Sequence, residues 1–215
     1  GGRIKGAGNS TIVIDGVQKL RGCTYSVIAD RIAAATYISA AASTGGEISL
    51  TGIDSSICDS FLPVFEQMGC KIYVYSDRLY INASGKLKGV NKIITMPHPG
   101  FPTDAQAVIM AALCKAYGSS IFEENIFESR YRHVDALVKM GADIKVIGKA
   151  AVVNGVEKLY GAKVSATDLR GGAAMAVAGL GAEGVTEVAE IHHIDRGYED
   201  MEKAFSSLGG KIQRV

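Results

Sequence analysis

Neither sign of charge is in excess in this sequence, which excludes functions that depend on a strong electric field. The 215 residues include 23 Lys and Arg against 22 Asp and Glu, a net charge of +1. No run of basic residues forms a local patch either. Because binding to DNA or RNA requires a basic surface that meets the phosphates, we expect no nucleic-acid partner.

Cysteine is scarce and stands without any metal-binding spacing. The chain has no CxxC pair and no histidine at ligand spacing from its four cysteines, Cys23, Cys58, Cys70 and Cys114. Two disulfides are conceivable, but a chain of this size without a signal-peptide pattern favours reduced, mostly buried thiols. We therefore expect a cytoplasmic protein with no metal site.

Long apolar runs are also lacking, and the longest falls far short of the ~20 residues that cross a bilayer. We expect no membrane partner.

The chain begins with Gly1 instead of Met, which predicts a fragment or a cleaved product. What is present is typical of a globular protein with a real core, since 47% of the residues are hydrophobic and 21% are charged. The length allows one large domain or two small ones.

One sequence unit occurs three times. Its first part ends in Gly, Lys and Leu followed by a last Gly, and the copies lie at residues 13–22, 83–89 and 153–161. A β-prone run follows each copy, at residues 24–28, 91–95 and 162–166. Repeats of this kind indicate one supersecondary unit used several times.

Each β-prone run leads to an aspartate and then to an alanine-rich helix. The aspartates are Asp30, Asp104 and Asp168, and the predicted helices cover residues 33–42, 105–116 and 173–178. An aspartate at a helix start can accept backbone N–H bonds and complements the helix dipole. Helices with so much alanine and so little charge are predicted to be buried on most sides.

The second part of the unit adds a strand, an outer helix and a closing Gly-x-x-Ile. The strands are predicted at residues 47–50, 120–123 and 186–191, and the outer helices at 58–68, 132–140 and 198–208. The closing segments lie at 69–72, 141–144 and 209–212. The pattern predicts an α/β fold in which small sheets surround a bundle of buried helices. We expect one domain over 1–215, with units at about 12–81, 82–150 and 151–215.

Two motifs that suggest ligands have simpler explanations. Residues 179–184 match the GxGxxG dinucleotide fingerprint, but the glycines follow a helix and precede a strand, the reverse of the required order. We read them as a helix stop and expect no cofactor. His192 and His193 end a β-prone run, where neighbours point to opposite faces and cannot bind one metal ion together.

Three clusters at equivalent positions carry more chemistry. They lie at residues 98–106, at residues 126–133, and at 167–170 together with 194–198. Arginines near helix starts suit the recognition of carboxylates and phosphates. Asp104 alone is better explained as a plain helix N-cap, and each arginine alone as part of a surface ion pair. The recurrence of the clusters makes a shared anionic site an equal alternative.

At these clusters the sequence resembles the enolpyruvyl transferases that act on UDP-N-acetylglucosamine. The stretches that carry the resemblance are PGFPTDAQ at 99–106, IFESR at 126–130, ATDLR at 166–170 and HIDRGYE at 193–199. Their order and spacing agree as well, and the likeness covers about residues 6–214. The resemblance implies an inside-out α/β barrel of three βαβαββ repeats, which is one of two domains with the active site between them.

The resemblance also implies an activity and its residues. The family transfers the enolpyruvyl group of phosphoenolpyruvate to the 3-hydroxyl of the sugar nucleotide, through a tetrahedral intermediate that loses phosphate, in cytoplasmic peptidoglycan synthesis. Asp104 matches the base that also binds the sugar hydroxyl, and Arg170 and Arg196 match the arginines on phosphoenolpyruvate. Ile126 and Arg130 match the sugar-nucleotide site. We add Phe127 and Asp168 to the predicted binding residues.

Departures from the family pattern concern the other domain and a few small residues. The reactive cysteine of the family lies in the partner domain, and none of the four cysteines here falls on a matching motif. Ala29 and Ala33 stand where proline and glutamate are usual, and glycines follow Arg170. We therefore expect this chain to need the cysteine-bearing domain and to be inactive alone. A shikimate-type transferase and a non-catalytic binding module of the same fold are the alternatives.

Overall fold

The computed structural model describes all residues, 1–215. The strands are β1 (Arg3–Lys5), β2 (Val13–Asp15), β3 (Glu47–Thr51), β4 (Lys71–Val74), β5 (Arg78–Asn82), β6 (Lys92–Ile94), β7 (Ser119–Glu123), β8 (Asp143–Ile147), β9 (Ala150–Asn154), β10 (Lys163–Ser165) and β11 (Glu187–Ala189). The helices are α1 (Arg31–Thr44), α2 (Leu62–Met68), α3 (Thr103–Leu113), α4 (Val134–Lys139), α5 (Leu169–Leu180), α6 (His192–Asp195) and α7 (Met201–Ser207), with a 3-10 turn at Ser55–Cys58.

The middle repeat shows the predicted βαβαββ unit in full. Its sheet has the order β6-β7-β9-β8, in which β6 and β7 are parallel and the other neighbours are antiparallel. The helix α3 connects the two parallel strands, and α4 leads to the closing pair. A helical crossover is what allows neighbouring strands to run parallel.

Three alanine-rich helices, α1, α3 and α5, pack against one another at the centre of the molecule. Their alanines are almost all buried, and one apolar cluster joins all three repeats. Small side chains allow the helix axes to come close, as where a Cβ added to Gly181 would lie 2.2 Å from Ser43 Oγ. The predicted α/β class, with buried helices and outer sheets, is confirmed.

Two predicted strands do not form. Residues 24–28 are not a strand, although their counterparts β6 and β10 pair with β7 and β11, so β3 stays at the edge of its sheet. Residues 209–212 also form no strand, and the third sheet consists of β10 and β11 alone. Both segments have the right composition, but a strand exists only where a neighbour supplies its backbone hydrogen bonds.

The first 29 residues contribute nothing to the core. They form the hairpin β1–β2 and a long irregular segment, and none of them is buried. Large apolar side chains in this part are more than half exposed, at Ile4, Ile12, Ile14, Leu20, Tyr25, Val27 and Ile28. Apolar surface of this extent on one segment is typical of a surface that another protein part covers.

The central helices run in the same direction. Contacts between the starts of α3 and α5 join Asp104 to Arg170, while Lys115, just after α3, donates from Nζ to the carbonyls of Ser43 and Gly181 at 3.1 and 2.8 Å. Those carbonyls belong to the ends of α1 and α5. Burial lowers the pKa of the Lys115 ammonium, which nevertheless complements the negative ends of the helices.

Replacing Lys115 with methionine is expected to destabilise the chain by about 2 kcal/mol. The change keeps the apolar stem but removes two charge-assisted hydrogen bonds to carbonyls at the ends of α1 and α5. Urea unfolding measures the loss. Lys145, which is exposed and makes no ion pair, provides the matched control, Lys145→Met. Equal stability of the two variants would contradict this role for Lys115.

Candidate active site

Asp104 lies in the first turn of α3, and its carboxylate faces two arginines, Arg130 from the same repeat and Arg170 from the third repeat. Its Oδ1 accepts from Arg130 Nη2 at 2.5 Å, and its Oδ2 from Arg170 Nη2 at 3.2 Å. The side chain of Asp104 is 43% exposed, whereas those of Arg130 and Arg170 are 19% and 13% exposed. A carboxylate that is open to solvent is thus held by two largely buried cations.

The plain N-cap interpretation of Asp104 is wrong. Pro102 occupies the N-cap position of α3, and no side chain caps that helix. The other two aspartates do cap their helices. Asp30 accepts from the Ile32 amide at 2.7 Å, and Asp168 accepts from the Arg170 and Gly171 amides at 2.9 and 2.8 Å. Of the three equivalent aspartates, Asp104 alone is free of capping and meets arginine side chains.

Arg170 is also held from the side of α1. Its Nη1 makes a long contact of 3.4 Å with Tyr198 Oη, which is 2.7 Å from Thr36 Oγ1. The Thr36 hydroxyl in turn lies 2.9 Å from the Ile32 carbonyl. Tyr198 and Thr36 are buried, so this chain of polar groups fixes the guanidinium from inside the helix bundle. Sequence reasoning did not assign a role to either residue.

The loop after β7 carries the second arginine. Arg130 lies over the ring of Phe127, with the guanidinium carbon 5.4 Å from the ring centroid, and Phe127 is half exposed. Glu124, at the start of this loop, is buried and was missed by sequence reasoning. The alternation of β7 could have revealed it, because Ser120, Phe122 and Glu124 fall on one face.

Arg196 is not part of this group of side chains. It is exposed at the end of α6 and makes no hydrogen bond or ion pair. The simpler explanation of each arginine as part of a surface ion pair is wrong for Arg196, because the neighbouring Asp195 binds Arg214 at 2.7 and 3.0 Å. Those hydrogen bonds hold the pKa of the Asp195 carboxyl below its usual value.

His192 and His193 begin the helix α6 and do not lie in a strand, so the argument from opposite strand faces is wrong. Their rings lie in contact at a tilt of 36°, with centroids 4.1 Å apart. No group of three or more His, Cys, Asp or Glu side chains is placed to hold a metal ion. The glycines at 179–184 do end the helix α5, as predicted.

A cleft of about 340 Å³ opens beside Asp104. It is lined by Arg31, His98, Asp104, Ile126 and Phe127, among others. Arg31 Nη1 lies 3.4 Å from His98 Nδ1, and both side chains also border a neighbouring cleft of about 570 Å³. The open carboxylate of Asp104, a backbone segment at Ile126 and a free cation at Arg31 therefore share one concave surface.

Three of the four cysteines are buried and none is paired, as expected. Burial raises the pKa of Cys58 and Cys70 to about 11 and that of Cys114 to about 12. These thiols stay protonated near neutral pH, and a protonated thiol is a poor nucleophile.

No helix in the structure has the length and apolarity needed to cross a bilayer.

Comparison with known proteins gives consistent relatives. The family model described as EPSP synthase (3-phosphoshikimate 1-carboxyvinyltransferase) matches residues 1–205. UDP-N-acetylglucosamine 1-carboxyvinyltransferase 2 of Caldanaerobacter subterraneus subsp. tengcongensis is 48% identical over 215 residues, which are 100% of this chain and 52% of that protein. UDP-N-acetylglucosamine 1-carboxyvinyltransferase 2 of Clostridium acetobutylicum is 51% identical over 214 residues, which are 100% of this chain and 51% of that protein.

A solved structure agrees with these sequence relatives. The enolpyruvyl transferase NikO from Streptomyces tendae superposes with a TM-score of 0.86 at 25% identity, over 99% of this chain and 51% of that one. The chain thus spans about half the length of the curated relatives that it matches.

Proposed function

The chain belongs to the enolpyruvyl transferase family, and on that premise we propose that it forms one side of an active site for UDP-N-acetylglucosamine. The reaction moves the enolpyruvyl group of phosphoenolpyruvate to the 3-hydroxyl of the sugar nucleotide and releases phosphate. The observation that carries this proposal is the open Asp104 carboxylate between Arg130 and Arg170. Relatives that are 48% and 51% identical bear the name of this activity.

Asp104 is the base of the proposed reaction. Its carboxylate takes the proton of the 3-hydroxyl while the sugar oxygen bonds to C2 of phosphoenolpyruvate and C3 gains a proton. The product is a tetrahedral intermediate. Loss of phosphate from C2 and of a proton from C3 then restores the double bond. The solvent-open position of Asp104, with its backbone fixed in a buried helix, suits this transfer.

In this proposal the arginines bind different substrates, Arg170 and Arg196 the phosphoenolpyruvate and Arg130 the sugar nucleotide. Arg170, held by Asp104 and Tyr198, stabilises the charge that develops on phosphoenolpyruvate. Arg196 makes no ion pair and is therefore available for a carboxylate or phosphate of the same substrate. Arg130, with the backbone of Ile126 and the ring of Phe127, borders the place of the sugar nucleotide. Asp168 contributes by fixing the start of α5.

The helix bundle favours anions at this end. The starts of α1, α3 and α5 lie together, as the contacts of Asp104, Arg170 and Thr36 require. Parallel helices bring the positive ends of their dipoles to one place, where the dipoles favour negative charge. Both substrates carry phosphate, so the field acts on each of them.

The proposal includes a partner domain that bears the family's cysteine. The chain spans about half of its relatives, and its first 29 residues expose apolar side chains without burying any. We infer that this chain, as one domain of three repeats, works against such a partner in the cytoplasmic synthesis of peptidoglycan precursors. A cleft with only one side orients two substrates poorly, so the chain alone should be inactive.

A shikimate-type transferase is the second candidate, because the matching family model carries that description. The names of the relatives at 48% and 51% identity favour the sugar nucleotide. Competition decides between the two substrates. Shikimate 3-phosphate that displaces UDP-N-acetylglucosamine from the chain at lower concentration would favour the second candidate.

Phosphate release from phosphoenolpyruvate and UDP-N-acetylglucosamine tests the proposal. The chain is assayed alone and mixed with the half of the Caldanaerobacter relative that it does not cover. We expect phosphate release in the mixture only. Turnover by the chain alone would contradict the need for a partner. If the two halves are shown to associate and the mixture still releases no phosphate, the proposed reaction is overturned.

A further inference from the structure

Glu124 is a buried carboxylate without a cationic partner. It is 1% exposed, lies just after β7, and forms no salt bridge. Its Oε1 accepts from Thr95 Oγ1 at 2.8 Å and from the amides of Ile126 and Phe127 at 2.8 and 3.1 Å. Its Oε2 accepts from Thr103 Oγ1 and Gln106 Nε2, both at 2.9 Å. A carboxylate satisfies five donors because it presents acceptor sites only.

These donors come from three separate segments. Thr95 directly follows β6, and its hydroxyl oxygen also accepts from the Asn125 amide at 2.8 Å. Thr103 and Gln106 lie in the first turns of α3, on either side of Asp104 in the sequence. The amides of Ile126 and Phe127 begin the loop that leads to Arg130. Both partners of the Asp104–Arg130 pair are thus tied to the same buried carboxylate.

We propose that Glu124 is a positioning residue of the site. It fixes the start of α3 relative to residues 125–130, so that Asp104, Arg130 and the backbone of Ile126 meet the sugar nucleotide in one geometry. The effect on the substrate rests on the proposed function, whereas the effect on the loop does not. Active-site groups must be held to a fraction of an ångström, and buried hydrogen bonds of this kind hold them.

Two substitutions should separate position from charge. In Glu124→Gln the amide oxygen can keep the bonds to Ile126 and Phe127, while its NH2 group faces Thr103 and Gln106. The Thr103 hydroxyl can accept, and Gln106 has a buried Oε1 without a partner, so rotation of the Gln106 amide supplies a second acceptor. Glu124→Ala leaves all five donors without this acceptor. The glutamine variant should therefore behave nearly as the original chain does.

Amide hydrogen exchange in the full 215-residue chain tests the position of the loop. In Glu124→Ala we expect the Ile126 and Phe127 amides to exchange about 10- to 100-fold faster, the loss expected for bonds to a charged acceptor. The Met175 amide in α5 should change less than about twofold, since α5 supplies none of the five donors to Glu124. Glu123→Gln is the matched control, because the neighbouring Glu123 is partly exposed and pairs with Lys92.

The effect on the substrate is tested by the kinetics of the chain mixed with the complementary half, which is the half of the Caldanaerobacter relative that the chain does not cover. For Glu124→Ala we expect the KM for UDP-N-acetylglucosamine to rise about 10-fold, the KM for phosphoenolpyruvate to stay within about twofold, and Glu124→Gln to restore the first value. Unchanged loop exchange, a uniform rise that includes Met175, or a fall in kcat alone would each overturn the proposal. If the unsubstituted mixture releases no phosphate, the proposed function fails, while the exchange result still decides whether Glu124 holds the loop.

Discussion

Replacing Asp104 with asparagine is expected to lower kcat of the chain and its complementary half by about 10²- to 10⁴-fold, the usual contribution of a positioned base. Asparagine has the same shape but cannot take the proton of the 3-hydroxyl. It also leaves Arg130 and Arg170 without their shared carboxylate, which is 43% exposed and so contributes little to stability. Phosphate release measures the effect, and thermal unfolding checks that the variant is folded.

The control for this change is Asp135→Asn. Asp135 lies in the first turn of α4, is exposed and meets no arginine, so its replacement alters a helix dipole in the same way without touching the site. The control should keep its kcat. An Asp104→Asn variant that retained a third or more of the activity would exclude Asp104 as the base.

Acidification is expected to destabilise the chain through His133 by about 3 kcal/mol between pH 7 and pH 4. His133 is 2% exposed, and burial lowers the pKa of its imidazole to about 4, against which nearby Asp168 acts only in part. The folded state therefore binds a proton less readily than the unfolded state does. Stability is highest above the unfolded pKa of about 6.5 and falls as the pH drops towards 4.

Urea unfolding at several pH values measures this effect, with His133→Gln as the test variant. Because carboxylates also titrate in this range, the relevant quantity is the difference between the original chain and the variant. The free energy of unfolding of the original chain minus that of His133→Gln should be larger at pH 7 than at pH 4. Replacing the exposed His192 with glutamine, as a control, should leave the dependence of stability on pH unchanged. Parallel profiles for the original chain and His133→Gln would contradict the prediction.

His133 also links acid stability to the site. The positive charge of Arg130 lowers the pKa of His133 further, after the larger effect of burial. An imidazolium at this position would lie close to the guanidinium that binds Asp104. The arrangement of Arg130 and Asp104 should therefore be lost in the same pH range in which the chain loses stability, and not only at a lower pH.

Local elements were largely predictable. The three buried helices, the outer helices and the strands β3, β7 and β11 lie within a few residues of their predicted places. Alanine runs, terminal glycines and capping aspartates act over one or two turns of chain, so the signal is complete in the sequence. The two missing strands, 24–28 and 209–212, depend instead on neighbours that composition does not reveal.

The sequence by itself determined that this protein has three related α/β units with buried helices, and its motifs indicated the family. Only the tertiary structure decided which aspartate faces solvent and arginines, because Arg130 and Arg170 stand 26 and 66 residues from Asp104. It likewise decided that Arg196 stays apart and that Glu124 is buried. Side chains so distant in sequence meet only when the helices pack, and packing depends on the whole set of apolar contacts and on no local pattern.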